Sequence, residues 1–416
     1  MTTPEIHPAS MVWLQSNGTF PTREGEYSSA YEIKQFLLCS SGMQHPGLTV
    51  NDMTLAEGDA YDFSDGVLVQ HGAISISPFA HGIAYAGTGF EGIRARRIEG
   101  QEYPIITFGK DHVVRLAETA KHTGNTQLPD TAVLEQGIRL AVAATPEGWK
   151  SMYVRPQIAR IDPKVKLAFG GVESILAVGV TELKSYLDPS ALQEGVTAVI
   201  TPFGPTEMRG VSPQAKAGPN YLPRSLADDW ANAYGKEHGH ESLVPLMTKL
   251  AKNPLYAHSY DEVWDGSGGN ILFINEADKK VIIPPRAQIF SGITLKKVLE
   301  QFEARGFMIE EHVLHAETKD NHPVVCRESF GEFSDLGYGA MMTGTAFTVP
   351  MLKQVINPVT GQTYDFPISP TALDVQQAIL DRVQTYNPKE DLRVTESDHG
   401  ASIDAWNRVR RVAHVR

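Results

Sequence analysis

The segment Gln214-Ala-Lys-Ala-Gly-Pro-Asn-Tyr221 has the clearest chemical character in the chain. Lys216 stands between two alanines, two residues before Gly218. A lone lysine is most often a solvated surface charge, because lysine is seldom fully buried. Small, uncharged neighbours on both sides suit a different setting. In a tight pocket, loss of water lowers the amine's pKa and frees it for imine formation.

Two other segments supply what a phosphate-bearing ligand needs. Gly266-Ser-Gly-Gly-Asn270 precedes an apolar run, and Asp265 stands just before it. Gly-rich turns let backbone N–H groups approach a ligand closely. Ser291-Gly-Ile-Thr294 opens the strongest helical pattern in the chain, with Thr294 as its expected cap. The free N–H groups and dipole of a helix N-terminus favour an anion. Singly, such features are ordinary turns and caps. Their order is lysine, acid, Gly-rich turn and capped helix, and pyridoxal phosphate calls for all four. Its aldehyde needs an amine, its ring nitrogen an acid, and its phosphate N–H donors.

With these residues in place, the chain resembles the class IV (fold type IV) pyridoxal-phosphate enzymes, most closely the branched-chain amino acid aminotransferases. Five blocks carry the resemblance: HGIAYAGTGFEGIR from His81 to Arg94, Tyr153-Val-Arg155-Pro, AKAGPNYL around Lys216, WDGSGGNILF from Trp264, and SGIT followed by Gly344-Thr-Ala346. They cover about residues 61–356. The resemblance implies a small α/β domain and a larger pseudobarrel domain, with the site between them and a homodimer partner contributing to it.

The same resemblance implies roles residue by residue. Lys216 matches the lysine that forms the imine with the cofactor and then shuttles the α-proton. Tyr221 matches the tyrosine bonded to the cofactor's phenolic oxygen. Arg115, in HVVRL, matches the phosphate arginine, and Ile293 and Thr294 match phosphate ligands. Thr345 and Ala346 match the turn that binds the substrate carboxylate. Tyr85, Phe90, Arg94, Arg155 and Tyr186 match pocket positions, with Arg155 and the tyrosines able to accept the distal carboxylate of glutamate. Three positions depart from the family pattern. Asp265 stands where glutamate usually faces the pyridinium, Gly269 replaces a second glutamate, and Pro219 replaces a glycine.

The implied activity moves an amino group between a branched-chain-like or specialised amino acid and a 2-oxo acid such as 2-oxoglutarate. A second reading keeps the cofactor but makes the enzyme a lyase, which would release pyruvate without an amino acceptor. A third is a cofactor-binding protein without turnover.

Hydrophobic periodicity supplies the elements that must position these residues. Val67–Gln70 and Ile74–Ser77 read as a hairpin. Asp111 precedes a helix with Val113, Leu116 and Ala120 on one face, and Asp130 can cap a second through Leu134, Ile138 and Ala141. Met152–Ile158, Ser174–Val180, Val196–Ile200, Ile271–Ile274, Val281–Ile283, Met308–Glu311 and Gly339–Thr343 read as strands. Further helices are expected over Pro223–Tyr234 (stopped by Gly235), from Thr294 to Gly306, and over 370–385. The reading is mixed α and β in two domains: an extension over 1–60, a small domain over 61–182, a linker over 183–195, and a large domain over 196–416 with an insertion at 236–258.

Composition narrows the class. At 416 residues, the chain suits two domains or one large one, at about 150 residues each. Hydrophobic residues make up 42% and charged residues 21%, which fits a globular protein. No apolar run approaches the ~18 residues of a membrane span, so no membrane partner is expected. A net charge of −12 without a basic run argues against nucleic acid. The opening MTTPEIHPAS is not expected to be a signal peptide. Two cysteines without a CxxC pair, and no HExxH, give no metal motif, and free thiols fit a reducing cytoplasm.

Overall fold

The computed structural model describes residues 34–39, 48–50, 67–70, 74–125, 131–161, 167–168, 172, 174–183, 189–204, 211–252, 259–315, 330–345 and 349–401. The elements run β1 (Lys34–Cys39), β2 (Leu48–Val50), β3 (Val67–Gln70), β4 (Ile74–Ile76), α1 (His81–Ala84), β5 (Thr88–Phe90), β6 (Ile93–Arg96) and β7 (Ile105–Ile106). After them come α2 (Gly109–His122), α3 (Thr131–Ala143), β8 (Ser151–Arg160), β9 (Ser174–Glu182), α4 (Pro189–Glu194), β10 (Val196–Ile200) and α5 (Gly218–His238). The remainder is β11 (Val244–Lys252), β12 (Ser259–Gly266), β13 (Asn270–Asn275), β14 (Lys280–Ile283), α6 (Ile293–Glu303), β15 (Met308–Glu311), β16 (Leu314–His315), α7 (Phe330–Asp335), β17 (Gly339–Thr343), β18 (Met351–Asn357), β19 (Gln362–Asp365), α8 (Pro370–Arg382) and β20 (Leu392–Arg393).

Two large sheets organise these elements. The first has eight strands in the order β20-β7-β6-β8-β9-β1-β3, with β5 also on β8. Along β8, buried and less buried residues alternate. Met152, Val154 and Ile158 face the core formed with Val113, Leu116 and Ala120 of α2 and Leu134, Ile138 and Ala141 of α3. Because strand side chains alternate faces, Tyr153 and Arg155 project from the opposite side. One face of this sheet therefore builds the core and the other is free for a site.

The second sheet has ten strands in the order β15-β14-β13-β17-β18-β10-β11-β12-β16, with β19 on β18. Its β13 carries an uninterrupted buried run, Asn270 to Ile274, as a strand covered on both faces should. Ile271 and Phe273 enter a core with Phe330, Phe333 and Tyr364. Leu272 and Ile274 enter another, with Val298 and Phe302 of α6 and Val375 and Ile379 of α8. Each such side chain contributes about 1.5–3 kcal/mol of burial, and these cores fix the start of α6 against the β12–β13 turn.

Several expectations need correction. β3 and β4 do not form a hairpin: β3 pairs with β1, and β4 with β2. Residues 34–39, read as part of an N-terminal extension, are a strand of the first sheet, pairing with β9. Gly235 does not end α5; Gly239 does, at φ 79°. Gly235 is small for packing, since a Cβ there would stand 3.0 Å from the His240 carbonyl. The stretch 236–258 is not wholly an insertion, because it contains the end of α5 and β11, which runs parallel to β10. Asp111 lies inside the first turn of α2, and Thr294 inside that of α6, whose N-cap is Gly292. Near the other end of the chain, β20 returns to pair with β7 in the first sheet. Asp130 lies outside the described residues.

Candidate active site

The site forms where the two sheets meet, and backbone contacts pin it there. Lys216 precedes α5 by two residues. Its carbonyl accepts the Phe90 N–H at 2.9 Å, and its own N–H donates to Thr119 Oγ1 at 3.1 Å. Gly89 bridges Ala217 beside them. The lysine is thus held by β5 and α2 while its chain leads into α5, which packs against β11 of the second sheet.

The Lys216 side chain reaches back over α5. Its Nζ donates to the Tyr221 hydroxyl at 2.5 Å. It lies 5.3 Å from the Phe90 ring centroid, 4.8 Å from that of Tyr221 and 4.8 Å from that of Phe290. Burial among these rings lowers its pKa, outweighing the pull of Tyr221 and Glu91 toward the charged form. An amine whose neutral form is favoured by burial, beside a phenol, can serve as a nucleophile and a proton carrier.

Arg115 stands on α2 with three of its five N–H donors committed. Its Nε and Nη2 each donate at 2.7 Å to the Glu91 carboxylate, and its Nη1 donates at 2.7 Å to the Ser291 carbonyl. Two N–H groups are left for another acceptor. The Glu91 carboxylate is fully buried and also lies 2.8 Å from His112 Nδ1. Burial alone raises a carboxyl pKa, but the Arg115 charge and hydrogen bonds, with His112, hold Glu91 well below the usual carboxylate range. Burial pushes the His112 imidazole down against the pull of Glu91. Glu91 and His112 were not singled out from the sequence, although Glu91 stands inside the first resemblance block and His112 three residues before Arg115.

Facing Arg115 is the start of α6. Gly292 caps it without a side-chain bond, so the first-turn N–H groups at Ile293 and Thr294 await an acceptor. A Cβ at Gly292 would collide with Asn270 Oδ1, which explains glycine there. A cavity of about 340 Å³ opens at this place, lined by Arg115, Thr119, Gln214, Gly292, Ile293 and Lys296. Guanidinium, helix start and cavity together suit a phosphate.

Asp265 is buried at the end of β12. Its Oδ1 accepts from Asn270 Nδ2 at 2.8 Å, and its Oδ2 from Arg224 Nη2 at 3.1 Å and the Phe290 N–H at 3.2 Å. Burial raises its pKa against the pull of Arg224 and these donors. Phe290 joins this carboxylate to the lysine, since its N–H serves Asp265 while its ring flanks Lys216 Nζ.

The expected pocket residues divide. The Arg155 guanidinium lies 4.4 Å from the Phe90 ring centroid and donates to the Tyr153 hydroxyl at 2.9 Å. Phe90 in turn meets Tyr221 edge-on at 4.6 Å. A continuous wall thus runs from Arg155 to Lys216. A Cβ at Gly92 would collide with the Tyr153 hydroxyl, so this glycine makes room for the wall. Arg94 donates from Nε to the Thr345 carbonyl at 2.7 Å, and burial pushes its pKa down to about 10. It therefore supports the Thr345 turn from β6. Tyr85 packs its ring on His81 at 4.6 Å. Tyr186 and Ala346 lie outside the described residues. Arg224 was not anticipated: it reads as one more charge on a helix.

An amine, a buried acid and an anion cradle together fit pyridoxal phosphate. Thr343, opposite Asn270 across the β13–β17 pair, also keeps a buried hydroxyl with no partner among the described residues.

Comparison with known proteins agrees with this geometry. A family model described as amino-transferase class IV matches residues 89–320, more than half of the chain. The chain is 23% identical to the branched-chain-amino-acid aminotransferase of Escherichia coli (strain K12) over 268 residues, covering 64% of this chain and 80% of that protein. Against the Pseudomonas aeruginosa enzyme of the same name, identity is 24% over 305 residues, covering 73% and 87%. The branched-chain aminotransferase from the archaeon Thermoproteus uzoniensis, solved with norvaline, superposes with a TM-score of 0.61 at 20% identity, covering 79% of this chain and 97% of that one. The enzyme from Thermobaculum terrenum, solved in its PLP form, gives 0.56 at 16% identity, covering 85% and 100%. The architecture is that of fold type IV, as the resemblance implied.

Proposed function

We propose that this chain, which belongs to the class IV aminotransferase family, moves an amino group from a branched-chain or similar apolar amino acid to a 2-oxo acid such as 2-oxoglutarate, using Lys216. The observation that carries the reading is the Lys216 amine, enclosed by Phe90, Tyr221 and Phe290, between a buried acid and an anion cradle. The cofactor is pyridoxal 5′-phosphate. When bound, it supplies a carbonyl that captures amino groups and a ring that accepts the electron pair left at the substrate's α-carbon.

The protein's own residues do the rest. Arg115 and the start of α6 hold the phosphate, and Glu91 and His112 hold Arg115. Asp265 would be the anion for the ring nitrogen, favouring its protonated form. Lys216, its Nζ beside the Tyr221 hydroxyl, would take the α-proton of the substrate and return it. Tyr221 orients the amine. The Thr345 turn, supported by Arg94, receives the substrate carboxylate. Arg155 with Tyr153 offers cationic and hydroxyl donors for the distal carboxylate of an acidic partner, while Phe90 presents an apolar face to an aliphatic side chain.

Large exposed apolar side chains at Phe79, Ile83, Leu222 and Leu226 support a homodimer, with a second copy covering these segments. Among the described residues, no helix is long and apolar enough to cross a membrane. We place the enzyme in the cytoplasm.

An absorbance screen of the cofactor-loaded protein against an amino-acid panel tests this reading. Branched-chain amino acids are expected to bleach the visible band, and 2-oxoglutarate to restore it. Pyruvate release without an acceptor, or no response to any amino acid, would overturn it.

A further inference from the structure

Arg224 occupies a place that the proposed chemistry does not require. It lies on α5 three residues after Tyr221 and is itself buried. Its Nη1 donates to the carbonyls of Gly266 and Ser267, at 2.6 and 3.0 Å. Its Nη2 donates to Asp265 Oδ2 at 3.1 Å. One guanidinium thus ties the Gly-rich turn and the buried acid to the helix that follows Lys216. The turn has no side chain of its own at Gly269 to do this.

The contact also changes what Asp265 can offer. Oδ2 already accepts two donors, from Arg224 and the Phe290 N–H, whereas Oδ1 accepts one, from Asn270. A carboxylate oxygen has two lone pairs, so Oδ1 retains capacity for a further donor. The negative charge is shared with a cation at contact distance. An opposite charge at this range stabilises the carboxylate and makes it a poorer partner for a second cation. Two other titratable groups face the pair among the described residues. Asp228 accepts from Ser267 Oγ at 2.7 Å and acts on Arg224 through charge. The Tyr221 ring centroid lies 5.6 Å from the guanidinium. β11 and β13 present Met247 and Asn270 to Asp265, and β17 brings Met342 against the neighbouring Gly266; none of the three titrates.

We propose that Arg224 is a positioning residue that shares the Asp265 carboxylate with the cofactor's ring nitrogen, so that this nitrogen holds its proton less tightly than it would against an unshared carboxylate. The same fork fixes a side chain one methylene shorter than glutamate in a single orientation. The inference rests on the proposed function, because it needs the cofactor bound.

The test is nitrogen NMR of the holoprotein loaded with pyridoxal phosphate labelled at the ring nitrogen, followed across the pH range in which the protein stays folded. The wild-type nitrogen is expected to titrate within that range. Arg224→Gln, which keeps an amide donor for the turn but loses the charge, should raise the midpoint by about 1–3 pH units. Arg224→Lys should leave it near the wild-type value. Asp228→Asn, at an exposed position where asparagine keeps an acceptor for Ser267 Oγ, removes an anion that offsets Arg224 and should lower the midpoint. A wild-type nitrogen protonated throughout, or a midpoint unmoved in the folded variants, overturns the proposal. A protein that takes up no cofactor overturns both the proposal and the functional reading. A protein that takes it up, reacts with amino acids and shows an unmoved midpoint contradicts only the role of Arg224.

Discussion

Lys216 Nζ and the Tyr221 hydroxyl lie 2.5 Å apart, and the two residues straddle the first turn of α5. The pairing tempers the ionisation of the amine. Burial lowers its pKa, and Tyr221 opposes that shift. Tyr221→Phe should therefore lower the pKa of Lys216 further in the apoprotein. The check is the pH dependence of Lys216 labelling by an amine-selective reagent, read by mass spectrometry, whose midpoint should move down.

Linkage gives a second outcome at the same residue. Its folded pKa lies below the unfolded value, so between the two the unfolded chain binds more protons. Apoprotein stability from this group therefore rises with pH through that window, which ends near 10.5. Lys216→Met should be more stable than wild type at neutral pH and should lose this rise. Urea denaturation at several pH values reads both effects.

Arg115 and Glu91 predict coupled losses. Removing one partner of a buried ion pair typically costs about 3–5 kcal/mol, because the other charge is left unpaired. Arg115→Ala should weaken cofactor binding and also destabilise the apoprotein by about that amount. A loss of affinity with unchanged apoprotein stability would mean that the Glu91 contact is energetically idle. Glu91 has a depressed pKa, so its contribution is present above the unfolded value of 4.5 and is lost as pH falls toward the folded one. Acid denaturation of Glu91→Gln should lack that component.

Arg94 acts on the substrate side. A hydrogen bond from a charged group is worth about 1.5–3 kcal/mol, and Arg94 gives one to the Thr345 carbonyl. Arg94→Gln should lower kcat/KM for the amino acid by roughly 10- to 100-fold. Cofactor affinity, measured by fluorescence titration, should change little.

Asp265→Asn should slow α-proton transfer by ~10²–10³, the typical effect of removing one electrostatic contact to developing charge. Asparagine can still cap a turn, so a silent variant with normal α-proton exchange, followed in deuterium oxide, would reduce Asp265 to a structural role.

Much of the site is legible in sequence because its chemistry lies in short blocks. The small residues around Lys216, the glycines after Asp265 and the SGIT helix start each act through near neighbours. The Glu91–His112–Arg115 group is harder to see, since its contacts span 21 and 24 residues and its meaning comes from burial. Arg224 stands 41 residues from Asp265 and looks like any helix charge. In the fold, the apolar runs of β10, β13 and β17 identify themselves. β11 does not, because Pro245, Lys249 and Lys252 break its pattern, although pairing with β10 and β12 imposes the strand. β20 is only two residues long, and only tertiary contact shows that it joins the first sheet.

The central claim is that Lys216 is the amine that reacts with pyridoxal phosphate. Borohydride reduction of the holoprotein followed by peptide mapping tests it most directly. The account predicts loss of the visible band with a single phosphopyridoxyl adduct on Lys216, and none in Lys216→Met. An unmodified Lys216 beside a labelled lysine elsewhere would contradict it.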